Sequence, residues 1–118
     1  MFITACCPRI KVMLTGNALK HEGVMSGTYL MQTGFVNDQR YWMSSEGNAI
    51  WIRHTGDQWK IGYSEDLGTT TAQLYVPIKD YSKECPHENL QSNWHYWTGK
   101  NYVEDVSNFV NIDCLKGL

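Results

Sequence analysis

The sequence lacks an excess of either charge and any long hydrophobic stretch. Its 118 residues carry a formal net charge of -2 at pH 7, with no local cluster of Lys and Arg. The electrostatic attraction that drives most nucleic-acid binding is therefore missing. No apolar run approaches the roughly 18 to 20 residues that span a bilayer. We therefore predict neither nucleic acid as a partner nor insertion into a membrane.

Signatures of catalysis and of metal binding are also missing. No Gly-x-Ser-x-Gly element is present, and no His lies in a recognisable nucleophile setting. The acidic neighbours Glu65-Asp66 and Glu104-Asp105, together with Asp80, could be paired acids of a glycosidase. Adjacent carboxylates on a strand or turn are, however, typical of a solvated surface. Alternating Asp and Asn of a calcium loop are absent, so we predict a calcium-independent protein that is not an enzyme and uses no cofactor.

The residues that are present are typical of a folded domain. Hydrophobic residues make up 42% of the chain and charged residues 19%, proportions of a globular rather than a disordered protein. A chain of this length is too short to be divided into two units that each bury a core. We therefore predict one domain over residues 1–118.

Four cysteines, Cys6, Cys7, Cys85 and Cys114, predict two disulfides. A bridge between the neighbours Cys6 and Cys7 would be far from ordinary disulfide geometry. Two connectivities remain, Cys6–Cys85 with Cys7–Cys114, or Cys6–Cys114 with Cys7–Cys85. Disulfides are typical of secreted and extracellular proteins, and this predicts the localisation, although the first residues do not form an intact signal peptide.

Two other uses of the cysteines remain open from the sequence. Four reduced, buried thiols would suit a cytosolic protein. A zinc site could combine Cys85, His87 and His95, but Cys-x-His lacks the usual ligand spacing. We therefore predict no metal site.

Short segments rich in strand formers, separated by Gly, Asn and Asp turns, predict an all-β fold. The clearest pair is the hairpin of Ala49 to His54 and Gln58 to Tyr63. Residues 15–27 and 79–93 are predicted as loops, the second with at most a helical turn. The expected architecture is an antiparallel sandwich or small barrel of about seven or eight short strands in meander order, stapled by disulfides. The other predicted strands cover residues 10–14, 28–33, 40–44, 71–76 and 108–114. Residues 94–97 could pair with residues 102–104 around the turn Thr98-Gly99-Lys100.

Aromatic residues are numerous, with five Trp and seven Tyr, and most are expected in the core. On the hairpin, Trp51 and Trp59 are predicted to be core or cross-strand packing residues rather than ligand contacts. Residues 91–102 differ because aromatics alternate with amides and hydroxyls beside a Gly turn. A flat ring can stack on the C–H face of a sugar while amides bond its hydroxyls. The candidate ligand-binding residues are Asn93, Trp94, His95, Tyr96, Trp97, Asn101 and Tyr102.

A second polar cluster with the same chemistry adds Asp38, Arg40 and Trp42 to the candidate ligand-binding residues. Each cluster also has a purely structural interpretation. Residues 94–102 could be a Trp-rich strand that covers one end of the core. Residues 37–39 could be an ordinary Asn-Asp turn.

The chain carries several short motifs in a fixed order: Gly27-Thr28-Tyr29, Val36-Asn37-Asp38-Gln39-Arg40-Tyr41, Ala49-Ile50-Trp51, Trp59-Lys60-Ile61-Gly62, Cys85-Pro86, Trp94 and a terminal Val110-Asn111-Ile112-Asp113-Cys114. This order resembles small secreted β-rich modules of marine-invertebrate extracellular proteins. The resemblance covers most of the chain and rests mainly on single aromatic and Gly positions. Secreted β-domains of this size in such animals are often lectins, including galactose and N-acetyllactosamine binders. The resemblance therefore implies glycan binding, but it assigns no sugar-contact residue.

These observations predict a secreted, calcium-independent carbohydrate-binding protein whose partners are the oligosaccharides of glycoproteins. The alternative is a non-catalytic extracellular interaction or structural module that self-associates through the same aromatics. The two functions are compatible because a lectin with one site gains avidity by forming a homodimer.

Overall fold

A computed structural model of the protein describes residues 6–78, 85–88 and 92–115, which form nine strands and one short α-helix. Short 3-10 turns lie at Gly23–Met25, Ser64–Asp66 and Pro86–Glu88. In chain order, the helix and strands are β1 (Arg9–Leu14), α1 (Gly16–Glu22), β2 (Gly27–Met31), β3 (Trp42–Met43), β4 (Asn48–Ile52), β5 (Gln58–Tyr63), β6 (Leu74–Pro77), β7 (His95–Trp97), β8 (Tyr102–Glu104) and β9 (Val110–Cys114).

All nine strands belong to one antiparallel sheet that curls into a half-barrel. The order across the sheet is β8-β7-β6-β5-β4-β3-β2-β1-β9. Strands β1 to β8 thus follow each other as a meander, and β9 returns to pair with the far side of β1. The all-β prediction is confirmed. The sheet has nine strands rather than seven or eight, and it is one curled sheet rather than two stacked ones.

The core fills the concave face of the sheet because strand residues alternate between its two faces. The hairpin of β4 and β5 shows the alternation: Ile50 lies opposite Ile61, and Ile52 lies opposite Trp59. Trp59 and Trp42 meet edge to face with ring centroids 5.8 Å apart, a favourable geometry for aromatic pairs. Both indoles are fully buried, so the predicted core position of Trp59 is confirmed.

A second, smaller cluster covers the convex face of β4. Trp51 is fully buried there beside Ala49 and Ala72. Residues of the connections before β3 and after β5 pack onto it, including Val36, Tyr41 and Leu67. Trp51 donates its indole N–H to the carbonyl of Thr69 at 3.1 Å. Trp51 is therefore a packing residue, as predicted, but on the opposite face from Trp59.

Residues 15–27 do not form the predicted loop, because Gly16–Glu22 fold as helix α1. Two turns are too few to show a helical apolar period in the sequence. The helix is held by the rest of the fold: His21 stacks near Tyr96 of β7, and Glu22 accepts a hydrogen bond from Gln73 at 3.2 Å. Helix α1 therefore connects the β1 side of the curled sheet to the β6–β7 side.

The disulfides are Cys6–Cys85 and Cys7–Cys114, one of the two connectivities that the sequence left open. Because neighbouring residues of an extended segment point to opposite sides, the two bridges leave the N-terminal segment in different directions. Cys85 is consequently not available as the thiolate that a zinc site would need. The interpretation as reduced thiols is wrong for the same reason.

Among the residues that the structure describes, no helix is long and apolar enough to cross a membrane.

Candidate functional site

The convex side of β6, β7 and β8 carries four aromatic rings in contact, and we call this set the ring face: Tyr75, His95, Trp97 and Tyr102. Tyr75 and His95 stack almost parallel, with centroids 4.5 Å apart and an interplanar angle of 6°. Tyr102 meets both Tyr75 and Trp97 edge to face at 5.0 Å. All four side chains are partly exposed. The ring face is therefore a continuous aromatic surface that a ligand can reach.

Strand register brings these rings together. Tyr75 lies opposite His95, and Trp97 lies opposite Tyr102, so residues far apart in sequence become cross-strand neighbours. The β7–β8 hairpin is closed by a turn in which Gly99 has a φ of +98°, a conformation that favours glycine. The Thr98 hydroxyl donates to the Asn101 carbonyl at 3.1 Å across this turn. The hairpin predicted around Thr98-Gly99-Lys100 is confirmed.

The strand pairing that aligns the rings also places one charged residue on each side of the ring face. Lys60 of β5 pairs with Tyr75, and its Nζ lies 5.7 Å from the centre of that ring. Lys60 is buried, so loss of hydration lowers the pKa of its ammonium group, and the nearby Arg53 acts in the same direction. On the other side, Glu104 lies opposite His95. The strand pairing thus places a buried cationic side chain on one side of the ring face and an exposed anionic side chain on the other.

Tyr102 keeps its phenol proton over a wide pH range. Partial burial, then the neighbouring Tyr75 and Glu22, raise the pKa of this phenol, although its hydrogen bond to the backbone of Ala72 partly opposes the rise. The hydroxyl donates to the Ala72 carbonyl, so the ring is fixed in place. Tyr102 is consequently a rigid, neutral contact surface at physiological pH.

Asn93 lies at one end of the ring face, where it contacts Glu104 of β8. Its amide Nδ2 donates to Glu104 at 2.9 Å, and both side chains are exposed. Asn101, also exposed, lies in the turn at the other end and bonds Thr98 through its side-chain oxygen at 3.1 Å. Amide groups therefore stand at both ends of the aromatic surface, as a surface that binds hydroxyl groups requires.

Next to Asn93 the structure contains a polar pocket of about 280 Å³. The 3-10 turn Pro86–Glu88, the segment 92–94 and strand β9 form its walls. It is lined by Pro86, His87, Ser92, Asn93, Trp94, Asp105, Asn108, Val110, Asn111, Ile112 and Asp113.

Three of the candidate ligand-binding residues belong to the core instead. Trp42 is fully buried, with its indole N–H donating to the Cys7 carbonyl at 2.9 Å. Tyr96 is buried on the concave face. Trp94 is only 7% exposed and contributes the apolar floor of the polar pocket. Alternation along β7 explains this outcome, because Trp94 and Tyr96 point inwards when His95 and Trp97 point outwards.

Asp38 and Arg40 are not brought to the ring face. They belong to the connection packed on β4, three strands away from β7 in the sheet order. Arg40 donates to the Thr33 carbonyl at 2.9 Å and lies over the ring of Phe35. Asp38 is an exposed residue of a tight turn with a φ of +69°. The structural interpretation of this cluster thus accounts for its contacts.

Several site residues are not predicted by the sequence patterns. Tyr75 is predicted only as part of a strand, but its position between the inward-facing Leu74 and Val76 is a signal that it faces outwards. Asp105, Asn108 and Asn111 join the pocket because β9 returns across the sheet to β1. No local pattern in the sequence indicates that return.

The acidic neighbours Glu104 and Asp105 have separate hydrogen-bond partners. Glu104 accepts from Asn93 on the convex face, whereas Asp105 is buried and accepts backbone N–H groups of Phe109 and Val110. Asp80 lies outside the described residues. Within the described ranges, no group of three or more His, Cys, Asp or Glu is arranged to hold a metal ion.

A scan against protein-family models and searches of curated proteins and of solved structures find no match to this chain.

Proposed function

We propose that the protein is a secreted carbohydrate-binding protein that acts without calcium and without catalysis, and that its glycan lies on the ring face. The observation that carries the proposal is the stacked set of Tyr75, His95, Trp97 and Tyr102 with amide groups at both ends. The rings are held by each other and by the sheet, so little side-chain entropy is lost when a sugar binds.

The chemistry of sugars fits such a surface. One face of a pyranose ring presents C–H groups that stack on an aromatic ring, while its hydroxyls need both donors and acceptors. Asn93, Asn101 and Glu104 supply these groups. Galactose and N-acetyllactosamine are the ligands to test first, because the axial O4 of galactose leaves one continuous C–H face. Two disulfides support the extracellular location, where such glycans occur.

A glycan array followed by titration of the best ligand tests the proposal. We expect Trp97→Ala and Tyr102→Ala each to weaken binding by about two- to tenfold, because an aromatic contact contributes about 0.5–1.5 kcal/mol. Tyr63→Ala is the matched control, since Tyr63 is 40% exposed, close to the 37% of Tyr102, and lies outside the ring face. Chelation of calcium should leave binding unchanged. Absence of binding across a broad array, or equal loss in the Tyr63 control, would contradict the proposal.

The second candidate function is self-association through the same surface. Strand β8 is an edge of the sheet, so the ring face reaches a border where a second copy could continue it. Sedimentation at increasing concentration would then show a dimer that Trp97→Ala converts to a monomer. A strict monomer that binds glycans would exclude this function and keep the first.

A further inference from the structure

The polar pocket beside Asn93 contains two buried polar atoms that lack partners. His87 Nδ1 and Ser92 Oγ have no hydrogen-bond partner among the described residues, and both residues line the pocket. Both atoms are closed to solvent, so an occupant of the pocket does not reach them directly. The polar groups open to an occupant are the exposed amides of Asn93, Asn108 and Asn111, which also line the pocket. An amide bonds a hydroxyl group both as donor and as acceptor.

The charges around the pocket restrict the class of that occupant. Two carboxylates, Asp105 and Asp113, are among the lining residues, and none of the described lining residues is Lys or Arg. The Asp105 oxygens already accept the backbone N–H groups of Phe109 and Val110 at 2.9 and 2.8 Å. An anionic group would thus enter against two negative charges, with no cationic partner among the described lining residues. The lining suits a neutral group rich in hydroxyls.

The size of the pocket agrees with one small unit. About 280 Å³ lies just below the roughly 300–1,000 Å³ of pockets that enclose drug-sized molecules. Trp94 supplies an apolar floor, and Asn93, Asn108 and Asn111 contribute amides at the walls. A single sugar ring needs such a combination, with one apolar surface and several polar groups around it.

Both walls of the pocket are anchored by disulfides. Cys85 directly precedes the turn Pro86–Glu88, and Cys114 ends β9 directly after Asp113. Their partners, Cys6 and Cys7, are neighbours in the chain. Covalent bonds therefore limit how far the two walls can separate before any ligand binds, which reduces the entropy cost of binding.

We propose that this pocket binds the terminal neutral sugar of a glycan whose adjoining units lie on the ring face. The inference rests on the proposed function of the ring face. Asn93 connects the two surfaces, because it lines the pocket and donates to Glu104 beside His95. The pocket thus selects the end of the glycan, and the ring face binds the adjoining sugar units.

The test compares glycans that differ only at their ends. Wild-type protein is titrated with an N-acetyllactosamine oligosaccharide and with the same chain capped by sialic acid. We expect the neutral end to bind at least tenfold more tightly. Asn111→Ala should reduce this preference and weaken binding of the neutral end by about two- to tenfold, the loss of one hydrogen bond. Asn17→Ala is the matched control, since Asn17 is an exposed asparagine of α1 outside both surfaces.

The outcomes separate the two proposals. Loss of binding in Trp97→Ala together with unchanged binding in Asn111→Ala would overturn the pocket and keep the ring face. Equal affinity of the wild type for neutral and sialylated ends would also overturn the pocket. If the wild type binds no glycan, the proposed function fails, and the inference about the pocket fails with it.

Discussion

Asp105 holds the segment between β8 and β9 in place through hydrogen bonds to its backbone. It is buried, and its two carboxylate oxygens accept the backbone N–H groups of Phe109 and Val110. Its own N–H donates to the Trp94 carbonyl at 2.8 Å. One side chain thus satisfies two backbone donors that strand pairing does not reach, and it does so on the wall of the polar pocket.

Asp105→Ala should destabilise the protein by about 2–4 kcal/mol, because two backbone donors would lose a charged acceptor. Asp105→Asn should cost less, since its single amide oxygen can still accept one of the two bonds. Urea denaturation followed by tryptophan fluorescence measures both changes. Full stability in the Ala variant would show that water replaces the carboxylate without loss.

Glu22 is a buried carboxylate on helix α1. Burial raises the pKa of its carboxyl above the ordinary value of 4.5, and the hydrogen bond from Gln73 only partly opposes this. Between the ordinary and the raised pKa, the native state holds more protons than the unfolded state. The free energy of unfolding therefore falls as pH rises through that window.

Glu22→Gln should accordingly increase stability at neutral pH, because the neutral amide avoids the cost of a buried charge and still accepts from Gln73. The difference between variant and wild type should shrink as pH falls below 4.5, where Glu22 is protonated in both states. Thermal unfolding from pH 3 to pH 8 measures this. A pH-independent difference, or a less stable variant at pH 7, would contradict the prediction.

At the scale of elements, the turn at residues 36–39 shows which backbone conformation a two-residue turn requires. Val36 and Gln39 exchange both backbone hydrogen bonds, at 2.9 and 3.1 Å. Asn37 and Asp38 between them both have positive φ, at +52° and +69°, the conformation that favours Asn followed by Gly. Asn37 also donates its amide to the Ile52 carbonyl at 2.8 Å, so it cannot be replaced without losing a contact to β4.

Asp38 is the position in this turn where a glycine should fit best. We expect Asp38→Gly to be more stable than Asp38→Ala by about 1 kcal/mol, because only the alanine has a side chain that clashes in the left-handed region. Chemical denaturation of the two variants compares them at one position. Equal stabilities would mean that the turn changes its conformation when the residue changes.

Helix α1 shows why local sequence was insufficient for one element. It begins at Gly16, which has a φ of +54° and lies against the ring of Phe109, so that any Cβ at this position would overlap the ring. Glycine is a poor helix former, and the helix is only seven residues long. Its stability comes from contacts with β7, Gln73 and Phe109. Those contacts exist only after the sheet has formed.

At the scale of the whole molecule, the two disulfides close loops of similar length but hold different structures. The sequence separations are 79 and 107 residues. Cys114 belongs to β9, which is also paired with β1 over five positions. The turn Pro86–Glu88, next to Cys85, belongs to none of the strand pairs that the structure describes. The covalent bond is therefore more important for the turn than for β9.

Removing either disulfide by paired Cys→Ser substitutions should lower the free energy of unfolding by about 4–5 kcal/mol at most, from loop-closure entropy. We expect the two losses to differ by less than about 1 kcal/mol, because loop entropy depends only weakly on length. Hydrogen exchange at residues 85–88 should accelerate in Cys6→Ser/Cys85→Ser and much less in Cys7→Ser/Cys114→Ser. Equal acceleration in both variants would contradict the assignment of a distinct role to each bridge.

The sequence by itself determined the fold class, the hairpins and three of the four rings of the ring face, His95, Trp97 and Tyr102. These properties depend on alternation and on turn residues, which act between near neighbours in the chain. The sequence-based prediction failed where composition alone was used. It grouped Trp94 and Tyr96 with His95 and Trp97 as one site, although alternation places the first pair on the face opposite to the second.

Only the tertiary structure decided which disulfide connectivity forms, that α1 is a helix, and that β9 lies beside β1. It also decided the two candidate surfaces, by placing Tyr75 against His95 and by bringing β9 to the turn Pro86–Glu88. The physical reason is the same in each case. These features depend on contacts between residues distant in the chain, and the curl of the sheet sets those contacts, whereas a local pattern does not.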